Sequence, residues 1–232
     1  MSKKINIYIG VVALAIIAAG FVWYFSSYKP KSGSLPELKN VDRHLTADQK
    51  KIYTDRLRQA EEYLGKLSEQ QPDFAQQQLN SYIYEAQDYY GLGQLQQSIN
   101  KYNAALKLDP KNENALVGEA IVYIDAGQKE QARQIYEQVI KNNSKNYNTW
   151  LQYISLRQGM GAASADISSL YGQALINTGN YVDVLTKDAE FQESIGNINE
   201  AISLWQKAAV QYPENAAIYK GEAQRLQKMI KK

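Results

Sequence analysis

The chain has 232 residues, 44% of them hydrophobic, and a formal net charge of +2 at pH 7. That is enough apolar material for a core, and too balanced a charge to steer the protein toward nucleic acid or acidic substrates. It contains no cysteine and one histidine, His44, which excludes disulfides, thiolate nucleophiles and cysteine metal sites.

Residues 1–4 form a short tail with Lys3 and Lys4. Residues 5–25 read INIYIGVVALAIIAAGFVWYF without a charge, and as a helix rising about 1.5 Å per residue they would cross the roughly 30 Å core of a bilayer. Trp23 and Tyr24 stand at the far end, where amphipathic rings favour the lipid–water interface. The sequence predicts an uncleaved transmembrane helix rather than a removed signal peptide, because Ala13-Leu14-Ala15 lies inside the apolar run. A lipoprotein signal would need a cysteine. Charge leaves the orientation undecided: Lys3, Lys4 and the terminal amine on one side face Lys29, Lys31, Lys39 and Arg43 on the other. A very short tail ahead of a first span is usually kept in the cytoplasm, which favours an extracytoplasmic domain.

Residues 26–45 mix Pro, Gly, Ser and charge and read as a linker. In 46–78, a helical period through Ile52, Leu57, Ala60, Leu64 and Leu67 stops at Pro72, which predicts a divergent helical hairpin or an N-terminal cap. All five prolines, Pro30, Pro36, Pro72, Pro110 and Pro213, fall at boundaries of this kind.

Beyond residue 78 the chain repeats. Gly93, Gly127, Gly161 and Gly196 stand 34, 34 and 35 residues apart. At constant offsets before them come bulky Tyr82, Leu116, Trp150, Leu185 and Tyr219, then small Ala86, Ala120, Ala189 and Ala223, with Ile154 as the large exception. After each glycine follow Ser98, Ala132, Ile167 and Ala201, then Tyr102, Tyr136, Tyr171 and Trp205, then Ala105, Val139, Ala174 and Ala208. The register slips by one residue between Gly161 and Ile167. Two antiparallel helices approach closely only where one offers a small residue, and aromatic ridges fill the groove beside it. Glycine supplies the left-handed turn that stops a helix.

This pattern resembles the tetratricopeptide repeat (TPR) family, whose unit is a 34-residue helical hairpin. The stretch SYIYEAQDYYGLGQLQQSINKYNAALKLDPKN over 81–112 matches that family nearly throughout. The units 79–112, 113–146 and 182–215 are similar to it, whereas 147–181 is degenerate. Arg157 and Gln192 replace the aromatics at Tyr89 and Tyr123, and Ser144 and Gly179 stand where Pro110 and Pro213 end a repeat. The resemblance implies an all-α fold: a right-handed α-solenoid of helical hairpins, preceded here by the transmembrane helix and closed by a capping helix at 216–232. Arg225, Lys228, Lys231 and Lys232 toward the end of that helix complement its dipole.

The resemblance also implies a concave surface that holds a peptide segment. Its lining falls on Asn80, Ile83, Gln87 and Tyr90, then Asn114, Val117, Ile121 and Ile124, then Asn148, Leu151 and Ser155, then Thr186, Glu190 and Glu193. The middle is apolar and the far end acidic. Asn80, Asn114 and Asn148 recur every 34 residues; such amides can hold a peptide backbone or cap helices, and Asn112 and Asn146 are better placed as caps. Chaperone-docking members of the family grip a carboxylate with cations, but the corresponding positions here are Ile83, Gln87, Gly118, Asn148 and Gln152. No basic stripe suggests RNA.

Catalysis finds no support in the residues. His44 falls in the linker, the carboxylates at Glu61, Glu62, Glu190 and Glu193 read as solvated helix faces, and the glycines recur as helix stops rather than as a phosphate loop. No cofactor, metal or nucleic acid is expected. The expected function is a membrane-anchored protein–protein interaction scaffold in cell-envelope assembly or secretion, the alternative being a chaperone-like accessory subunit of a membrane protein-export channel.

Overall fold

The computed structural model describes residues 37–231. From Leu38 onward the chain forms one unit. The expected tail, the apolar span at 5–25 and the first part of the linker lie outside the described residues; among those described, no helix is long and apolar enough to cross a membrane.

Thr46 starts the first helix. Its hydroxyl accepts the Gln49 N–H at 3.2 Å while the Gln49 side chain accepts the Thr46 N–H at 2.9 Å, so two of the N–H groups that a helix start leaves unpaired are satisfied reciprocally. Helix α1 then runs Ala47–Lys66. Nine more helices follow among the described residues: α2 (Phe74–Gly91), α3 (Leu95–Leu108), α4 (Glu113–Asp125), α5 (Lys129–Asn142), α6 (Tyr147–Gly159), α7 (Ser164–Thr178), α8 (Val182–Ser194), α9 (Ile198–Gln211) and α10 (Ala216–Met229). None of these residues forms a strand. Each helix packs chiefly on its neighbours in the chain, most extensively within the pairs α2/α3, α4/α5 and α8/α9 and between α9 and α10.

Four of the connections are built alike. The first helix of each pair ends two residues before Gly93, Gly127, Gly161 or Gly196, whose φ values are 75°, 76°, 80° and 82°. The residue after each glycine donates its N–H back to a carbonyl five residues earlier: Gln94 to Tyr89 (2.9 Å), Gln128 to Tyr123 (2.8 Å), Ala162 to Arg157 (3.1 Å) and Asn197 to Gln192 (2.8 Å). This left-handed stop closes carbonyls that the helix end leaves open. It uses only the backbone of residues 89, 123, 157 and 192, so Arg157 and Gln192 keep the turn although their side chains break the aromatic column. The one-residue slip also has a place: α7 begins three residues after Gly161, whereas α3, α5 and α9 begin two after their glycines.

The small residues sit at the helix crossings. Ala86, Ala120, Ala132, Ala189 and Ala201 are fully buried, and the Ser98 hydroxyl donates to the Ala86 carbonyl at 2.7 Å. Ala120 and Ala132 occupy the same two positions one repeat on. Ala120→Leu is therefore expected to overpack the crossing and cost about 1–3 kcal/mol, while Lys129→Ala at the exposed turn loses only one surface hydrogen bond, to the Gly159 carbonyl. A urea titration of the two variants checks this; equal losses would contradict it.

Around α6 the core divides. Trp150 and Ile154 belong to a cluster running through Tyr171, Leu185 and Trp205 to Leu226. Tyr153 and Leu156 belong to another that contains Leu79, Ile99, Tyr123 and Tyr136. The hairpin with the degenerate sequence is thus where the two halves of the core meet.

Two boundaries are corrected. Residues 46–78 hold α1 and the beginning of α2: α1 stops at Lys66, six residues before Pro72, and α2 begins at Phe74, five residues before the expected unit at 79. The later part of the linker is packed structure. Leu38 is buried, its N–H donates to Gln96 Oε1 at 2.9 Å, and the Val41 N–H donates to the Gly93 carbonyl at 2.8 Å. Arg43 pairs with Asp125 of α4 and lies 4.5 Å over the Tyr90 ring. Composition suggested a spacer, but two apolar side chains and an arginine were enough to dock it.

Candidate protein-binding groove

The groove is built by α2, α4 and α6, the first helices of three successive pairs. On α2, Asn80, Ile83, Gln87 and Tyr90 recur three or four residues apart and so share a helix face; Asn114, Val117 and Ile121 do so on α4. These seven residues and Asn148 of α6 all line one concavity of about 490 Å³. Ile121 continues into an adjoining concavity of about 480 Å³ with Ile124, Leu151 and Ser155. All ten central lining residues expected from sequence, from Asn80 to Leu151, are thereby brought together.

Local capping explains why the amides face outward. The Asn112 side chain accepts the Ala115 N–H at 3.1 Å, and Asn146 accepts the N–H groups of Asn148 and Thr149 at 3.0 and 3.4 Å. With those two as helix caps, the Asn114 and Asn148 side chains are left exposed on the groove wall. Asn80 differs, since its Oδ1 accepts from Gln76 at 3.0 Å. Glu113, the one charged residue lining the first concavity, is held by Asn143 and by the Thr149 hydroxyl, each at 2.8 Å.

The floor is aromatic and aliphatic. A Cβ on Gly118 would stand 2.3 Å from the Tyr102 ring, so glycine there lets α4 settle onto that tyrosine. Burial pushes the Tyr102 phenol up to about 12, leaving it neutral. Neither Lys, Arg nor His lines the concavity, and in the adjoining one Lys129 is engaged with the Gly159 carbonyl at 2.8 Å. The surface suits a neutral, partly apolar segment and offers no clamp for a carboxylate.

The far end is corrected. Thr186, Glu190 and Glu193 lie outside both concavities, and the expected acidity is neutralised. Glu190 pairs with Lys187 at 2.8 Å, and Arg225 of α10 grips both oxygens of Glu193, at 2.9 and 2.7 Å. That hydrogen bonding holds the Glu193 carboxyl below its usual range. Glu62 pairs with Arg58 in the same way, and His44 is exposed beside Asp42.

Sequence reasoning missed two parts of the surface. Tyr84 is 64% exposed and lines both the groove and a further cavity of about 660 Å³ between α1 and α2, with Arg56, Tyr63, Gln87 and Asp88. Asp88 is buried and pairs with Arg56. The helical spacing from Asn80 to Tyr84 was available as a signal; the cavity itself depends on how α1 packs.

Residues 89–151 match the tetratricopeptide repeat family. Over that stretch the chain is similar to tetratricopeptide repeats. Among solved structures, a tetratricopeptide repeat protein from Parabacteroides merdae is 19% identical, with a TM-score of 0.50 over 79% of this chain and 71% of that one. Pseudomonas aeruginosa PilF is 16% identical, with a TM-score of 0.51 over 68% of this chain and 71% of its own. At these identities the likeness concerns the fold. Comparison of the sequence with curated proteins finds no match. Tetratricopeptide repeats commonly bind protein or peptide partners and are in general non-enzymatic scaffolds.

Proposed function

We propose that this protein is a membrane-anchored scaffold that holds an extended or helical segment of a partner protein in the groove of α2, α4 and α6, and that it works in cell-envelope assembly or secretion. The observation that carries the binding is the pairing of an apolar floor, Val117, Ile121, Ile124 and Leu151, with outward amides at Asn114 and Asn148. Burying a large apolar side chain on such a floor contributes roughly 1.5–3 kcal/mol, and the amides can satisfy the main chain that arrives with it. Anchoring rests on the uncharged run at 5–25.

The test is affinity purification from detergent-solubilised membranes. Ile121→Glu with Ile124→Glu is expected to weaken partner capture at least roughly tenfold. Ile176→Glu with Val210→Glu adds the same charge at two side chains that are 82% exposed elsewhere and should leave capture intact. Loss with the second pair and retention with the first would refute the groove assignment, and weak capture of many unfolded chains would point to a chaperone-like accessory instead. A separate expectation concerns the anchor: the full chain should stay in the membrane pellet after an alkaline wash. Its recovery in the supernatant would contradict membrane insertion.

A further inference from the structure

A column of acidic residues runs through the hairpins at Glu85, Glu119 and Asp188, all buried. Each occupies the same repeat position, given the one-residue slip, and Tyr153 fills it in the degenerate unit. The surroundings differ from repeat to repeat. Glu85 has an internal cation: Lys101 Nζ of α3 lies 2.9 Å from its Oε2 and 5.6 Å from the Tyr82 ring. Asp188 has an amide instead, Gln192 Nε2 at 2.9 Å.

Glu119 has lost that cation. Thirty-four residues after Lys101 stands Ile135, and thirty-four after Tyr82 stands Leu116. In place of the missing ammonium there is an open cavity of about 400 Å³, lined by Glu119 and Tyr123 together with Leu106, Leu116, Ile135 and Gln138. Glu119 is only 8% exposed. Among the described residues no cation acts on its carboxyl; its neighbour is the Tyr123 hydroxyl, and burial raises the group to about 7. The cavity shares no residue with the groove. Glu119 is two residues from both Val117 and Ile121, so at about 100° per residue it faces the other side of α4.

We propose that this outer cavity receives a lysine side chain of a partner protein. The inserted ammonium takes the place that Lys101 fills in the preceding repeat, and the apolar walls Leu106, Leu116 and Ile135 accept the methylene stem. A second contact on the back of α4 lets one scaffold hold a partner in the groove and a basic partner behind it.

The test uses the full chain in detergent at pH 8 and, as probe, an acetylated and amidated pentapeptide with one lysine among alanines. A saturable change in the methyl signals of Ile135 and Leu116 is expected with the lysine peptide, and none when norleucine replaces lysine. Glu119→Gln, which retains size and the Tyr123 contact, should reduce the affinity at least tenfold with an unchanged circular dichroism spectrum. Ile135→Lys should abolish the response, because the repeat then supplies its own ammonium. The proposal is overturned if the lysine peptide gives no saturable change, if norleucine serves equally, or if Glu119→Gln binds like the parent.

Discussion

Gly93→Ala is expected to destabilise the protein by about 3–4 kcal/mol, against about 1–2 kcal/mol for Gly127→Ala. Both glycines have the same left-handed backbone, at φ 75° and 76°, so the conformational part of the cost is common to them. The surroundings are not. A Cβ at Gly93 would meet the Val41 carbonyl oxygen at 1.9 Å, whereas one at Gly127 meets nothing within 4 Å. An alanine at Gly93 must therefore displace the docked segment before α1, with loss of the Val41 N–H bond and of Leu38 burial. Urea titrations of both variants, with hydrogen exchange read over 38–45, provide the check. Equal destabilisation, or unchanged protection of 38–45 in Gly93→Ala, would show that the segment does not depend on this turn.

Stability is expected to fall as pH rises from about 4.5 to about 7. Burial raises the Glu119 carboxyl from 4.5 to about 7, against the opposing hydrogen bond from Tyr123, and raises Asp188 from 3.8 to about 6, against that from Gln192. Between the unfolded and folded values the native chain keeps a proton that the unfolded chain has released. Its advantage shrinks by about 1.4 kcal/mol for every pH unit, so Glu119 alone costs on the order of 3 kcal/mol by pH 8 relative to pH 4. Glu119→Gln should remove most of the slope between pH 5 and pH 7 and be the more stable protein at pH 8. Asp188→Asn should act in the lower window, between about pH 4 and 6. Denaturation of parent and Glu119→Gln at pH 5 and pH 8 decides the matter, and parallel curves would contradict the buried, protonated carboxyl.

The hairpins were legible because their determinants recur locally. A glycine at a left-handed stop and a small residue at each crossing constrain the backbone wherever they occur, so the 34-residue spacing of Gly93, Gly127 and Gly161 marks three turns without any knowledge of the packing. The groove lining came from the resemblance, which implies which helix face is concave; helical spacing adds only that Asn80, Ile83 and Gln87 share a face. What escaped depended on contacts between distant parts of the chain. The segment 38–45 has the composition of a spacer, and its order comes from distant contacts with Gln96, the carbonyl of Gly93, the Tyr90 ring and the side chain of Asp125. The charge of the far end was misjudged for the same reason, because Arg225 reaches Glu193 across 32 residues. Glu85, Glu119 and Asp188 repeat as regularly as the glycines, yet an acid on an amphipathic helix ordinarily faces solvent. Their burial became visible only once Lys101 and Ile135 could be compared in place.

Site-specific photo-crosslinking tests the groove most directly. A photoreactive phenylalanine analogue is placed in the full chain at Tyr84, at Ile121 or at Ile176, and cells are irradiated before the membranes are solubilised. If the groove of α2, α4 and α6 holds a partner segment, the first two positions give the same discrete crosslinked product and Ile176 on α7 gives none. A product from Ile176 with none from Tyr84 or Ile121 would place recognition on another face and contradict the account.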